Sequence, residues 1–363
     1  MSVDSARGSA VHAGELSPEV AARYVDDVAR SFEQLHAQLG GPSRCLALGG
    51  HSLRFAFAGV KLEPAILSAI AHLPVGSDAP SLTIMGWDGA ETQAALPPPP
   101  WAWPENLPPH GIFRPCGDDS LRVFVAPWSH LILMYHAATS RAFVWTRNAA
   151  ELPTYHHASP LLQVFSWWTR ERDLNLVHGG CVGDEDGAVL LVGKGGSGKS
   201  TTCLLAAEAG LNYLADDYCV AASAPSPVVY SLYRSGKLHR GHLQRFPRLA
   251  SLAIDPNADE FEKPMIFLGE ATGHRVATQL PLRAIVVPRI SGLETTSFER
   301  TSPAEALRAL APSTLLQLGE RQSTALQSLA DLVRAVPSYR LNLGSRFETV
   351  APGLRELIGA AAR

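Results

Sequence analysis

Hydrophobic and polar positions along this chain change their spacing several times, and each spacing predicts a type of element. Over residues 18–39 the apolar side chains recur at helical intervals, which predicts one amphipathic helix. Ser17 can cap its first turn, Pro18 suits the first helical position, and Gly40 ends the pattern. Three later runs rich in β-branched and aromatic residues predict an antiparallel meander. They cover residues 121–127, 131–137 and 141–146.

A proline-rich strip precedes the meander, from Pro97 to Pro109. It can neither donate a regular ladder of hydrogen bonds nor propagate a helix, which predicts an exposed connector or lid. Its Trp101 and Trp103 could line a peptide groove or pack within a linker, and the usual role of such loops favours the linker. A helix is expected over residues 159–173, with Trp167-Trp168 in the core rather than in a site.

Beyond Leu176 the pattern alternates between buried strands and helices. Strands are predicted at residues 189–193, 211–222 and 285–290, and helices at 200–209, 303–311, 324–336 and 353–362. The change of pattern divides the chain into an N-terminal α+β domain over residues 1–155 and an α/β domain over 156–363. The first is the expected acceptor-recognition domain, because the second offers no other large unassigned surface.

Composition narrows the class of protein. The 363 residues are 46% hydrophobic and carry a net charge of −3, which excludes a disordered acidic tail and disfavours a nucleic-acid partner. No apolar run is long enough for a membrane helix. The N-terminus lacks the apolar core of a secretory signal, and five cysteines form no CxxC pair. We therefore expect a cytoplasmic protein without a membrane or nucleic-acid partner.

The strongest local signal is Gly193-KGGSGKST, which fits a phosphate-binding loop without a mismatch. It lies between a predicted strand and a predicted helix, so its amides and the helix dipole can surround phosphate oxygens. Lys199 is expected to reach the β- and γ-phosphates, and the Ser200 hydroxyl to bind magnesium. The expected nucleotide-binding residues are Gly193, Lys194, Gly195, Gly196, Ser197, Gly198, Lys199, Ser200 and Thr201.

Asp216 and Asp217 follow an apolar run, and Asp217 lies 18 positions after Lys199. On one continuous strand their side chains would point to opposite faces, so only one carboxylate is expected to face the γ-phosphate. The other could hold a magnesium-bound water, and an exposed acidic turn is the alternative. His178 precedes Lys199 by 21 positions, but a lone histidine is more often structural than functional.

Taken in order, His178-Gly179, the loop at Gly193 and Leu214-ADD resemble the catalytic core of the bacterial HPr kinase/phosphorylase family. The resemblance covers residues 174–222 tightly and implies a fold related to phosphoenolpyruvate carboxykinase. It implies that Asp217 accepts the proton of a serine hydroxyl and that His178 assists beside the phosphates. Asp216 is the alternative base and, with Ser200, the expected magnesium ligand.

The chain departs from that family at its Glu-Ile-Arg-Gly segment, whose nearest counterpart is Tyr230-SLYRSGKL. Arg234 and Lys237 remain as candidate catalytic cations, but the glutamate is missing, so we expect a kinase without phosphorolysis. Lys263 and Arg289 are further candidate cations for the transition-state charge. HPr kinases are hexamers, and this chain lacks parts of their oligomer-forming pattern, which leaves a homo-oligomer open.

A closer resemblance is to divergent HPr-kinase-like proteins of lasso-peptide and other ribosomal-peptide gene clusters, on Gly193-KGGSGKST, Tyr213-LADDY and Ser231-LYRSGKL. It implies an ATP- and Mg²⁺-dependent kinase that phosphorylates a serine of a peptide or protein, commonly a serine near the end of a precursor peptide. Two alternatives stay open: a kinase for small-molecule hydroxyls, and a nucleotide-binding regulator with little turnover. The intact aspartate pair and His178 favour catalysis over regulation.

Overall fold

A computed structural model of the chain describes residues 16–104, 111–237, 240–254, 263–318 and 322–362. It is a mixed α/β structure that divides into two compact units. The first unit holds the described residues through Ala47, with His51–Ala65 and Val75–Leu152. The second holds Leu48–Gly50, Ile66–Pro74 and the described residues from Pro153 onward.

The first unit begins with the helix that the spacing predicts. Helix α1 spans Pro18–Leu39, where the Ser17 hydroxyl accepts a hydrogen bond from Val20 N–H and Gly40 ends the helix at φ +70°. Short helices α2 and α3 cover Leu62–Leu67 and Gly89–Thr92. The strands are β1 (Ser43–Leu48), β2 (His51–Ala58), β3 (Leu82–Asp88), β4 (Ile112–Phe113), β5 (Leu121–Ala126), β6 (Leu131–His136) and β7 (Arg141–Thr146).

These strands form one sheet in the order β1-β2-β3-β7-β6-β5-β4. Strands β5, β6 and β7 pair antiparallel, so the predicted meander is confirmed, while β3 pairs in parallel with both β2 and β7. The apolar stripe of α1 packs in one core with side chains of this sheet, including Trp87 and Phe143.

The proline-rich strip is less exposed than its composition predicts. Trp101 is only 2% exposed, and its ring meets the edge of Tyr24 at a centroid distance of 4.9 Å. The expectation of an exposed strip is therefore wrong at Trp101, because the indole packs into the core beneath α1. Trp103 remains 42% exposed, and residues 105–110 of the strip lie outside the described residues.

The second unit contains a nine-stranded sheet and seven helices among its described residues. The helices are α4 (Thr154–Ala158), α5 (Leu162–Arg170), α6 (Lys199–Glu208), α7 (Pro247–Ala250), α8 (Pro303–Leu318), α9 (Gln322–Ala335) and α10 (Val350–Ala362). The sheet strands are β8 (Asn175–His178), β9 (Gly180–Asp184), β10 (Gly187–Leu191), β11 (Asn212–Ala215), β12 (Tyr218–Ala222), β13 (Val228–Ser231), β16 (Gln279–Ile290), β17 (Ser297–Arg300) and β18 (Ser338–Leu343). A separate ribbon pairs β14 (Ser235–Lys237) with β15 (Met265–Phe267).

Strand β10 lies inside this sheet, where it pairs antiparallel with β9 and in parallel with β16. Val189 and Leu191 face a core that includes α6 and α10, while Ala188 and Leu190 face a second core that includes α8 and α9. Burial on both faces explains why the strand is a continuous apolar run instead of an alternating one. Trp167 and Trp168 of α5 are fully buried, as expected. No helix of the described segments is long and apolar enough to cross a membrane.

Candidate functional site

A cavity of about 640 Å³ opens in the second unit where the loop after β10 meets the ends of several strands. Most of the residues that the sequence singles out lie on its walls. They are His178, Gly195, Gly196, Gly198, Lys199, Ser200, Thr201, Asp216, Asp217, Lys237 and Lys263. The fold therefore brings the glycine-rich loop and the aspartate pair to one place.

The loop 193–198 connects β10 to the N-terminus of α6. Its backbone reverses through glycines at positive φ, at +152° for Gly193, +78° for Gly196 and +100° for Gly198. A side chain at Gly198 would also collide with Leu343, whose Cδ1 would lie 2.6 Å from the added Cβ. Strain and contact together explain why glycine occupies this last position before the helix.

Lys199, at the first position of α6, is buried and turns back over the loop. Its ammonium donates hydrogen bonds to the carbonyl oxygens of Gly193 at 2.6 Å and Lys194 at 3.3 Å. Burial lowers the pKa of Lys199, while the nearby carboxylates of Asp217 and Asp216 oppose that shift. The ammonium is thus held between the loop and the aspartate pair, where a phosphate chain on the loop would meet it.

Asp216 and Asp217 lie in a bend between β11 and β12, which corrects the prediction of one continuous strand over residues 211–222. Strand β11 pairs with β9, whereas β12 pairs with β8 and β13, so the chain changes partners at the bend. Both carboxylates consequently line the same cavity. The alternation of a regular strand, on which the expectation of a single carboxylate facing the γ-phosphate was based, does not extend through the bend.

Asp217 accepts hydrogen bonds from two side chains. Lys237 Nζ donates to its Oδ2 at 2.5 Å, and His178 Nε2 lies 2.8 Å from its Oδ1. Burial alone would raise the pKa of the Asp217 carboxyl, but the charge of Lys237 and the hydrogen bond from His178 outweigh burial and hold that pKa well below its usual range. Asp217 is therefore ionised, and His178 carries its proton on Nε2 because a carboxylate can only accept.

Asp216 is almost fully buried, and its pKa is shifted in the opposite direction from that of Asp217. Burial and the charge of Asp217 raise its pKa, against hydrogen bonds from the Ser200 hydroxyl and from the backbone N–H of Lys237. Its Oδ1 is buried without a hydrogen-bond partner among the described residues. A buried acceptor without a donor is costly unless a ligand satisfies it.

Ser200 and Asp216 fit the expected magnesium site, because the hydroxyl and the unpartnered Oδ1 are the oxygen ligands that Mg²⁺ prefers. Within the described ranges, no group of three or more His, Cys, Asp or Glu side chains could hold a metal ion. Two protein ligands agree with the way Mg²⁺ binds beside nucleotides, where phosphates and waters supply the remaining ligands.

No protein-family model matches the chain, and no curated protein matches it either.

Two candidate cations lie outside the cavity. Arg234 donates from Nε to the Ser68 carbonyl, and its guanidinium lies 5.4 Å from the Phe267 ring centroid, so the structure gives it a packing role. Arg289 lines a separate cavity of about 590 Å³ on the other flank of the loop. Lys237, in contrast, binds both aspartates, which makes it a more central residue than its motif alone indicates.

Other residues that line the main cavity carry no motif. They are Thr154, Tyr155, Ala158, His242, Met265, Ile290 and Ser313. Among them, His242 shares a hydrogen bond of 3.2 Å between its Nδ1 and Thr201 Oγ1. These residues come from five elements of the second unit, namely α4, the 3₁₀ helix Arg240–Arg245, β15, β16 and α8, and no motif in the sequence marks them. Sequence reasoning therefore missed them.

Proposed function

We propose that this chain is an ATP- and Mg²⁺-dependent kinase that transfers the γ-phosphoryl group to a serine hydroxyl of a peptide or protein, with a core of the HPr kinase type. The observation that carries the proposal is the position of ionised Asp217 in the same cavity as Lys199 and the glycine-rich loop. The family resemblance of the three motifs supplies the acceptor class.

The loop amides and Lys199 would hold the phosphates, and their positive potential would stabilise the charge that develops on the transferred group. Ser200 and Asp216 would hold the magnesium ion, which supplies charge neutralisation on the phosphate oxygens. Because Lys199 already contacts the carbonyls at Gly193 and Lys194, nucleotide binding requires its ammonium to exchange those contacts for phosphate oxygens.

Asp217 would orient the acceptor. Each of its oxygens already accepts one hydrogen bond, which leaves lone pairs for the acceptor hydroxyl, and its side chain is 25% exposed. The hydroxyl oxygen forms a bond to the γ-phosphorus, the bond from that phosphorus to the ADP oxygen breaks, and the hydroxyl proton passes to Asp217. Because the pKa of Asp217 is low, alignment contributes more than basicity.

The test is transfer of radiolabelled phosphate from ATP with Mg²⁺ to synthetic peptides. One set ends in serine, and the matched set ends in alanine. We expect label only in the serine set. Labelling of both sets, or of neither, would contradict a kinase for a terminal serine. ATP binding without transfer to any peptide would favour a kinase for small-molecule hydroxyls or the regulator.

A further inference from the structure

His242, on the wall of the cavity, belongs to a small aromatic and cationic cluster that the proposed chemistry does not use. We call it the His242 cluster, and it consists of His242, Phe347 and Arg245. His242 lies in the 3₁₀ helix Arg240–Arg245, lines the cavity and contacts Thr201 Oγ1. Its ring packs against Phe347 at 6.1 Å and 83°, and the Arg245 guanidinium lies 4.4 Å from the Phe347 centroid.

The order of residues along the loop gives the direction of a bound nucleotide. In phosphate-binding loops the lysine reaches the β- and γ-phosphates, while backbone amides surround the α- and β-phosphates. Here Lys199 lies beside the aspartates, so the terminal phosphate points toward Asp217. Thr201 lies two residues further along α6, and the His242 ring contacts its hydroxyl.

We propose that the base of the bound nucleotide stacks on the imidazole of His242, with Phe347 and Arg245 holding that ring in place. The inference rests on the proposed function, since it assumes that the loop binds a nucleoside triphosphate. Stacking on a flat ring suits any nucleobase and adds binding energy that an inorganic phosphate chain cannot gain.

The cavity on the other flank of the loop is the competing location for the nucleoside. It contains Arg289 and Arg308 beside apolar Val287 and Ala309. Its walls, as far as the described residues form them, include neither Ser200 nor Thr201, the side chains at the start of α6. A variant there therefore provides a matched control for a variant in the His242 cluster.

The experiment measures the dissociation constants of ATP and of inorganic tripolyphosphate, both with Mg²⁺, by calorimetry. His242→Ala is expected to raise the dissociation constant of ATP about tenfold and to leave that of tripolyphosphate nearly unchanged, because only the nucleoside loses its stacking partner. His242→Phe keeps a ring and should retain most of the affinity for ATP. Arg308→Ala should change neither constant.

Four results would overturn the inference. His242→Ala could leave ATP binding unchanged, or weaken the binding of ATP and tripolyphosphate equally. His242→Phe could be as weak as His242→Ala, which would assign the effect to the hydrogen bond with Thr201. Arg308→Ala could selectively weaken ATP, which would move the nucleoside to the other flank. If the wild type binds neither ligand, the proposed function itself fails, and this outcome is distinct from the other four.

Discussion

Replacement of Asp217 by Asn tests the catalytic assignment directly. The amide keeps the size of the side chain and removes the negative charge that would orient the proposed acceptor hydroxyl. A positioned base contributes about 10²- to 10⁴-fold to a rate, so phosphoryl transfer should slow by that factor, or about 3–5 kcal/mol of barrier. ATP affinity should change little, because Lys199 and the loop remain in place.

The same substitution leaves Lys237 without its closest counter-charge. Breaking a buried ion pair costs about 3–5 kcal/mol. Both side chains here are 25% exposed, and Asp216 remains nearby, so we expect a loss of about 2 kcal/mol in the free energy of unfolding. The double variant Asp217→Asn/Lys237→Met should recover much of this stability without recovering transfer.

The assay combines initial rates of phosphate transfer, ATP titration and urea unfolding on the same preparations. Asp184→Asn, the same chemical change on β9 outside the cavity, is the matched control. The assignment fails if Asp217→Asn transfers phosphate at the wild-type rate. The assignment also fails if a loss of ATP binding accounts for the whole decrease in rate. It fails, too, if the double variant regains phosphate transfer together with stability.

Two further predictions concern the loop and acid stability. Gly198→Ala should lower the free energy of unfolding by about 1–3 kcal/mol and weaken ATP binding, because of backbone strain at φ +100° and the clash with Leu343. Gly210→Ala is strained at φ +87° but its side chain would lie in open space, so it should lower stability and leave ATP binding unchanged. Calorimetry and thermal unfolding check both, and equal ATP binding by Gly198→Ala and wild type would contradict the loop's role. Burial and then the charge of Arg234 lower the pKa of His72 to about 4, so this residue contributes stability above pH ~6.5 that is lost as the pH falls toward 4. The variant His72→Gln can still donate a hydrogen bond to Ser231. When the pH falls from 7 to 4.5, its free energy of unfolding in urea should decrease by about 2–3 kcal/mol less than that of the wild type. Equal decreases in the two proteins would refute the assignment.

Local patterns predict the elements that carry their own signals. Helix α1 starts and ends at the residues that its cap and glycine indicate, and the strand, loop and helix around Lys199 follow in the predicted order. Capping, glycine and periodicity act over a few residues, so a sequence contains them directly. Strand β18, in contrast, is absent from the predicted elements, although it pairs in parallel with β16 over six residues.

The aspartate pair shows the limit of such patterns. Residues 211–222 form one largely apolar run with β propensity, interrupted by the two aspartates, and the run does not indicate which strands its two halves pair with. The pairing of β11 with β9 and of β12 with β8 depends on packing, because these strand partners lie far away in sequence. That bend, not the motif, brings both carboxylates into one cavity.

The hypothesis of phosphoryl transfer comes from residue types at fixed spacing, since a glycine-rich loop, a lysine and paired aspartates are visible in the chain before it folds. Which groups act together depends on the packing of distant segments. Folding joins Lys237 and His178 to Asp217, holds Arg234 away from the cavity, and brings His242 to the end of the loop. Burial and the distance between charges set the pKa values of the site, and both exist only once those segments have packed together.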